Sequence, residues 1–219
     1  MTHSRIFETE NKIFFELNLL GKLKNSKEFS DKRVIQSPRA VGDLVQDIIS
    51  EEMTNCLPQG LIADYSDKFA RRAMADVAFT DVDGNYYVVD IKTHNKSTDF
   101  NMPNITSVER LARFYEDDKN HFVVLLVEYD TEDGKLNFTK VSINPVEHFK
   151  WNCLTIGALG WGQIQIANAN HIHTETSSRK KWMLELCDAL DMFYPKEIEK
   201  IGKRLARFKT VREYWEQKE

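Results

Sequence analysis

Apolar positions recur along this chain in two rhythms, and the change of rhythm divides it. Residues 5–24 mix apolar side chains (Ile6, Phe7, Ile13, Phe14, Phe15, Leu17, Leu20) with charges and predict a helix ending at Gly21. Residues 22–36 are polar and predict a loop. Ser37-Pro38 then opens a second helix, because serine accepts bonds from orphan amides and proline suits the first helical position. Val41, Leu44, Val45, Ile48 and Ile49 follow at helical spacing until Pro58 and Gly60 end the segment. From Ala73 the period shortens to two. Ala73–Thr80 and Asn85–Thr93 read as strands, His121–Tyr129 as a near-continuous apolar central strand, and Leu136–Ile143 as its partner across a turn containing Gly134. Gln163–Ala167 is a further short alternating strand. The last forty residues return to helical spacing. Ser177 or Ser178 caps a helix from Arg179 to Tyr194, Pro195 breaks it, and Ile198, Ile201, Leu205 and Phe208 mark another. A helix, then four or five strands, then helices predict an α+β or mixed α/β domain around a central sheet.

Length and composition narrow the class. The 219 residues, of which 42% are hydrophobic and 29% charged, suit one globular domain over 1–219 and contain no internal repeat. No apolar run reaches the length of a membrane span, and Glu8, Glu10 and Lys12 interrupt any signal-peptide core. Cys56, Cys153 and Cys187 are widely spaced and form no CxxC pair, so they read as buried free thiols in a cytoplasmic protein. A formal net charge of −4 argues against a histone-like binder. It leaves room for a DNA enzyme whose basic groups gather in one cleft.

The stretch Ala75–Lys92, ADVAFTDVDGNYYVVDIK, carries the chemistry. A three-residue hairpin loop, Val82-Asp83-Gly84, puts glycine at the left-handed position such loops require. Asp81 then faces Asn85, and counting back sets Asp76 opposite Asp90. Cross-strand partners share a face, and Lys92 lies two residues beyond Asp90, so all three side chains project together. Two repelling carboxylates invite a hard divalent cation such as Mg²⁺. The lysine beside them can orient a water and stabilise developing charge. An isolated Asp-x-Lys at a strand end is ordinarily a solvated ion pair. Asp76, set in an otherwise apolar strand, weighs against that, because a lone buried carboxylate is costly without partners.

The set Asp76…Asp90-Ile91-Lys92 resembles the PD-(D/E)xK nuclease motif, with Ala75 where the proline of that motif stands. The resemblance extends in order along most of residues 38–208. It takes in the helix with Val41-Gly42-Asp43, the segment Asp90–Ala112 with its Pro103-Asn104 pair, the strand Gly162–Ile166 and the run Ser177–Trp182. In this respect the chain is similar to blunt-cutting type II restriction endonucleases. That resemblance implies a restriction-endonuclease-like core, a central mixed sheet flanked by helices, and a homodimer acting on double-stranded DNA beside a cognate DNA methyltransferase. It implies Asp76 and Asp90 as Mg²⁺ ligands with the carbonyl of Ile91, and Lys92 beside the attacking water. It implies base contact by Asn104 and insertion into the DNA around Asn101. Gly157 stands where relatives carry an asparagine, so the site read differs. Blunt ends with 5′-phosphates at a short palindrome follow.

Other signals are weaker. Asp43 is the candidate for a fourth acidic residue on the early helix, although the helical wheel sets it away from the Val41/Leu44/Ile48 face, and Glu52 competes with it. Met102, between Asn101 and Asn104, offers an apolar wedge for a base step. Arg179, Lys180 and Lys203 are candidate phosphate contacts, against the plainer reading of a solvated helix face. Asn168–His173 (NANHIH) offers no complete ligand set and reads as structural. The competing functions are a repair or mobile-element nuclease of the same fold and a non-catalytic DNA-binding protein.

Overall fold

The computed structural model describes residues 4–66, 75–132 and 134–218. Helix α1 (Thr9–Asn25) follows a short 3-10 turn at Arg5–Phe7 and runs past Gly21. Gly21 tolerates this because its position is open: nothing lies within 4 Å of where a side chain would begin. The segment expected to be a loop contains a 3-10 turn at Lys27–Ser30 and the short helix α2 (Lys32–Ile35). Helix α3 (Pro38–Cys56) starts as its sequence predicts, with the Ser37 hydroxyl accepting from the Ala40 amide at 3.3 Å. Val41, Val45, Ile48 and Ile49 are buried along one face, with Leu44 half-buried beside them.

Five strands form the main sheet: β1 (Ile62–Ser66), β2 (Val77–Asp81), β3 (Tyr86–Asn95), β5 (Asn120–Glu132) and β6 (Lys135–Pro145), in the order β1-β2-β3-β5-β6. All pairings are antiparallel except β3–β5, so the sheet is mixed. The parallel pairing demands a crossover. It contains β4 (Asn104–Ser107) and helix α4 (Val108–Phe114). Strand β4 joins β7 (Leu154–Gly157) and β8 (Gln163–Ile166) in a second sheet of order β4-β8-β7. Of the expected strand Ala73–Thr80, residues 73 and 74 lie outside the described residues. Its observed part begins at Val77, which leaves Asp76 just ahead of the strand. Strands β1, β4 and β7 and helix α4 were not expected from the sequence.

Alternation along the main sheet separates two cores. Val77, Phe79, Tyr87, Val89 and Ile91 pack against α1 and α3. Ala78, Val88, Phe122 and Val124 face the other way, towards α4, the small sheet and Trp182 and Leu186. Helix α3 approaches β3 closely at Gly42, where a Cβ would lie 3.3 Å from Thr93 Oγ1.

The C-terminal region corrects the sequence reading. Helix α5 runs unbroken from Arg179 to Glu216, through Pro195. Its N-cap is Ser178, whose hydroxyl accepts from the Lys181 amide at 3.2 Å. A proline frees the carbonyl four residues back, here that of Asp191. Asp191 is exposed, so water can serve that carbonyl and the helix continues. Cys56 and Cys153 are buried as expected, whereas Cys187 is exposed on α5. No helix among the described residues is long and apolar enough to cross a membrane.

Candidate active site

The β2–β3 hairpin takes the register its loop dictates. Val77 pairs with Val89 and Thr80 with Tyr86, as the loop predicts, but the pairing ends there and does not reach Asp76 and Asp90. Gly84 supplies the left-handed turn at φ +77°. The Asp76 amide donates to the Val89 carbonyl at 3.0 Å. Two residues further on, the Ile91 amide and carbonyl point to the same edge of β3. There the Ile91 amide donates to Asp76 Oδ2 at 2.7 Å. The Asp76 side chain thus takes the place that the next backbone carbonyl of β2 would occupy.

Asp90 lies on the second-core face of β3 and is 5% exposed. Lys92 Nζ donates to its Oδ1 at 2.7 Å. Its Oδ2 is buried with no hydrogen-bond partner among the described residues. Burial pushes the Asp90 carboxyl up to about 7; Lys92 opposes that rise, and the nearby charge of Asp76 adds to it. An uncompensated oxygen of this kind costs a fold on the order of 1–3 kcal/mol. It is also a free electron-pair donor held in place.

Three oxygen sources, the two carboxylates and the Ile91 carbonyl, are therefore grouped at one strand end. That is the donor chemistry of a hard cation such as Mg²⁺, which takes few protein ligands and retains water. No group of three or more His, Cys, Asp or Glu side chains among the described residues is suited to hold a metal. Asp43 is not brought in: it is exposed on α3, which packs on the Ile91 face of β3 rather than the Asp90 face. Glu52 is engaged elsewhere, with Lys22 at 3.0 Å.

The loop leading from β3 to β4 is stitched down beside this centre. The Asn101 carbonyl accepts from the Ala169 amide at 2.8 Å and the Pro103 carbonyl from the Ile166 amide at 3.0 Å. Met102 is 41% exposed and Asn104 is exposed at the start of β4. Gln165 Nε2 donates to Asn104 Oδ1 at 2.5 Å. Gly157 makes this possible, because a Cβ there would lie 2.6 Å from Gln165 Oε1. Gln165 escaped the sequence reading. Its signal was the alternation of QIQI, which buries Ile164 and Ile166 and turns both glutamines outward.

His94, on the same face as Asp90 and Lys92, was also missed. Its Nε2 lies 2.8 Å from Asn170 Oδ1, while Asn170 Nδ2 donates to the Thr98 and Asp99 carbonyls. Those two carbonyls identify the Asn170 nitrogen, so Oδ1 accepts and His94 carries its proton on Nε2. Strand β3 is thereby tied to the loop that holds Asn101, Met102 and Asn104.

The proposed phosphate contacts divide. The Arg179 side chain is turned inward: it pairs with Glu147 at 3.4 Å, donates to the Asp118 carbonyl at 3.2 Å and lies 4.1 Å from the Tyr115 ring centre. Lys180 is exposed, and Lys203 is exposed with Glu199 at 2.6 Å. His171 is exposed and His173 Nδ1 meets Asn152 at 3.2 Å, a structural role for that segment. Compared with models of known protein families and with curated proteins, the chain matches none.

Proposed function

We propose that this chain is a Mg²⁺-dependent endonuclease of duplex DNA with a restriction-endonuclease-like core, acting as a type II restriction enzyme. The observation that carries this reading is the meeting of Asp76, Asp90 and Lys92 at one end of the hairpin, where Asp90 holds Lys92, feels the charge of Asp76 and keeps a buried oxygen unpartnered. The motif resemblance points the same way. Asp76, Asp90 and the Ile91 carbonyl would hold the ion. Bound there, Mg²⁺ would supply a lowered pKa for water and neutralise charge at the phosphate.

The chain's own groups supply the rest. Lys92, already held at 2.7 Å from Asp90, orients the attacking water and offsets negative charge as it develops on the phosphate oxygens. Asp90, with its carboxyl near 7 when metal-free, must release a proton before it can serve as a ligand, so activity rises with pH through that range. Asn104, buttressed by Gln165, presents amide donors and acceptors suited to an adenine edge. Exposed Met102 offers an apolar wedge. A homodimer would present two such centres to a symmetric site, with protection by a cognate methyltransferase.

Digestion of unmethylated phage DNA with Mg²⁺, followed by sequencing of the ends, tests the reading. The expected products are blunt ends with 5′-phosphates at a symmetric site of about six base pairs, because in-line attack on phosphorus expels the 3′-oxygen. Staggered ends would overturn the blunt-cutting branch, and 3′-phosphates would overturn the mechanism. Cuts that follow DNA structure rather than sequence would favour a repair or mobile-element nuclease. Binding without cleavage at any Mg²⁺ concentration would favour a DNA-binding protein.

A further inference from the structure

Helix α5 carries two stripes. Its first half packs on the body through Trp182, Leu186 and Leu190. Turned roughly a quarter of the way around the helix from that face runs a second apolar stripe: Tyr194, Ile198, Ile201, Leu205, Phe208 and Trp215, 39–69% exposed. The steps alternate four and three, and exposed Arg212 fills the one position between Phe208 and Trp215. Counting back in sevens from Ile198 and Ile201 adds Asp191, then Leu184 (57% exposed) and Cys187 (also exposed). A repeat of 3.5 residues is the seam of a two-helix coil, and a solvated helix has no need of it.

We propose that α5 pairs with α5 of a second copy of this chain in an antiparallel seam, with Ile198 of each copy opposite the partner's Ile201. This goes beyond the nuclease reading and does not rest on it. The choice of occupant rests on self-complementarity. In this register Leu184 meets the partner's Trp215, Tyr194 the partner's Leu205 and Cys187 the partner's Arg212. Along the flanks Asp188 faces the partner's Lys209, and Asp191 lies one turn from the partner's Arg212. Two alternative arrangements lack this match. A parallel pair sets Arg204 against the partner's Lys209, and an antiparallel pair shifted by seven residues sets Arg204 against its own copy. The seam side chains expose on the order of 800 Å² per copy, so pairing removes about 1,400 Å² from water, within the range of stable interfaces. Tyr194 is tied to its own body, its hydroxyl donating to the Trp161 carbonyl at 2.6 Å, while from Ile198 onward the stripe is exposed and open to the partner.

The test uses the full chain. Sedimentation should give about twice the 25.6 kDa chain mass. Ile201→Asp combined with Leu205→Asp should weaken association at least a hundredfold without shifting the circular dichroism, because both side chains are exposed in the single chain. Asp188→Lys or Lys209→Asp should each weaken it, and the two together should restore it. For register, Arg212→Cys should form a disulfide-linked dimer with Cys187 of the partner subunit under mild oxidation, while the wild type stays uncrosslinked. Buried Cys56 and Cys153 remain silent in that assay. A chain monomeric at tens of micromolar, a dimer indifferent to the paired aspartates, or a wild-type Cys187 self-crosslink would each overturn the proposal. Loss of cleavage alone would bear on the nuclease reading and not on the seam.

Discussion

The β2–β3 hairpin carries a buried aspartate at each end, and the two are treated oppositely. Asp81, beside the turn, is 3% exposed. Its Oδ1 accepts from the Asp83 and Asn85 amides at 3.0 and 2.8 Å, and its Oδ2 from Asn85 Nδ2 and the Tyr87 hydroxyl, both at 2.8 Å. Burial alone would raise its pKa, but these bonds outweigh burial and hold it below the usual value. Asp90, at the open end, receives one bond from Lys92 and keeps Oδ2 bare. Asp81 closes a turn, and nothing further can reach it without displacing a bond. Asp90 retains a donor the fold has not used, at a cost the rest of the protein bears. A buried carboxylate with one oxygen left unpartnered marks a site more sharply than burial or charge alone.

The largest test of this contrast is catalytic. Asp90→Asn and Lys92→Ala should each lower Mg²⁺-dependent plasmid cleavage by several orders of magnitude while leaving the circular dichroism unchanged. Asp81→Asn, which keeps the shape and one acceptor oxygen, should leave turnover within about tenfold per folded molecule. Full activity of Lys92→Ala would remove the active-site assignment. An Asp81→Asn protein as dead as Asp90→Asn would erase the distinction between the two ends.

Stability should reverse the ranking. Asp81→Ala strips acceptors from the Asp83 and Asn85 amides and the Asn85 side chain, the two Asn85 groups being in a buried residue, and leaves the Tyr87 hydroxyl only Ser4 Oγ at 2.6 Å. A loss of about 2–4 kcal/mol in urea unfolding follows, since each buried donor left unpaired costs about 1–3 kcal/mol and the groups relax together. A loss under about 1 kcal/mol would mean that water replaces the carboxylate, and Asp81 would no longer be the structural member of the pair.

The burial of Asp81 was not legible in the sequence, whereas the pairing from Thr80 to Val77 was, because a three-residue loop with glycine last fixes the register next to it. The same holds for α3, announced by Ser37-Pro38 and helical periodicity. What stayed hidden depends on pairing between distant segments. Gln165 reaches Asn104 across 61 residues, and Asn170 reaches His94 across 76. Strands β4 and β7 have only four residues each, too few to show a period, and exist because β8 lies between them. Arg179 misled for a related reason. It opens a basic run that looks solvated, yet Glu147 and Tyr115 gather around it only once the chain is folded. Pro195 misled because local chemistry forbids one hydrogen bond and not a helix.

The smallest effect is the stability of the metal-free protein against pH, where the two aspartates should pull in opposite directions. Asp81 holds its proton less tightly folded than unfolded, so its contribution is present above the ordinary carboxylate range and is lost as pH falls through its lowered value. Asp90 is the reverse. Folded, it keeps its proton up to about 7, whereas the unfolded chain releases it near the ordinary value of roughly 4. Between those values the folded state binds the extra proton, so stability falls as pH rises, by at most about 1.4 kcal/mol per pH unit, and levels off above the upper value. Asp90→Asn should remove that slope and stabilise the metal-free protein at pH 7.5. The gain is held to about 1–2 kcal/mol because Lys92, its side chain only 22% exposed, loses its partner. Mg²⁺ should raise the melting temperature of the wild type more strongly as pH climbs through 7, since the ion competes with the Asp90 proton, and should leave Asp90→Asn nearly unmoved. Melting curves at pH 5, 6, 7 and 8, with and without Mg²⁺, measure both. A wild type whose melting temperature rises steadily from pH 5 to 8 without metal would mean that Asp90 is as well satisfied as Asp81. The contrast between the two ends of the hairpin would then fail, and the case for a cation at the open end with it.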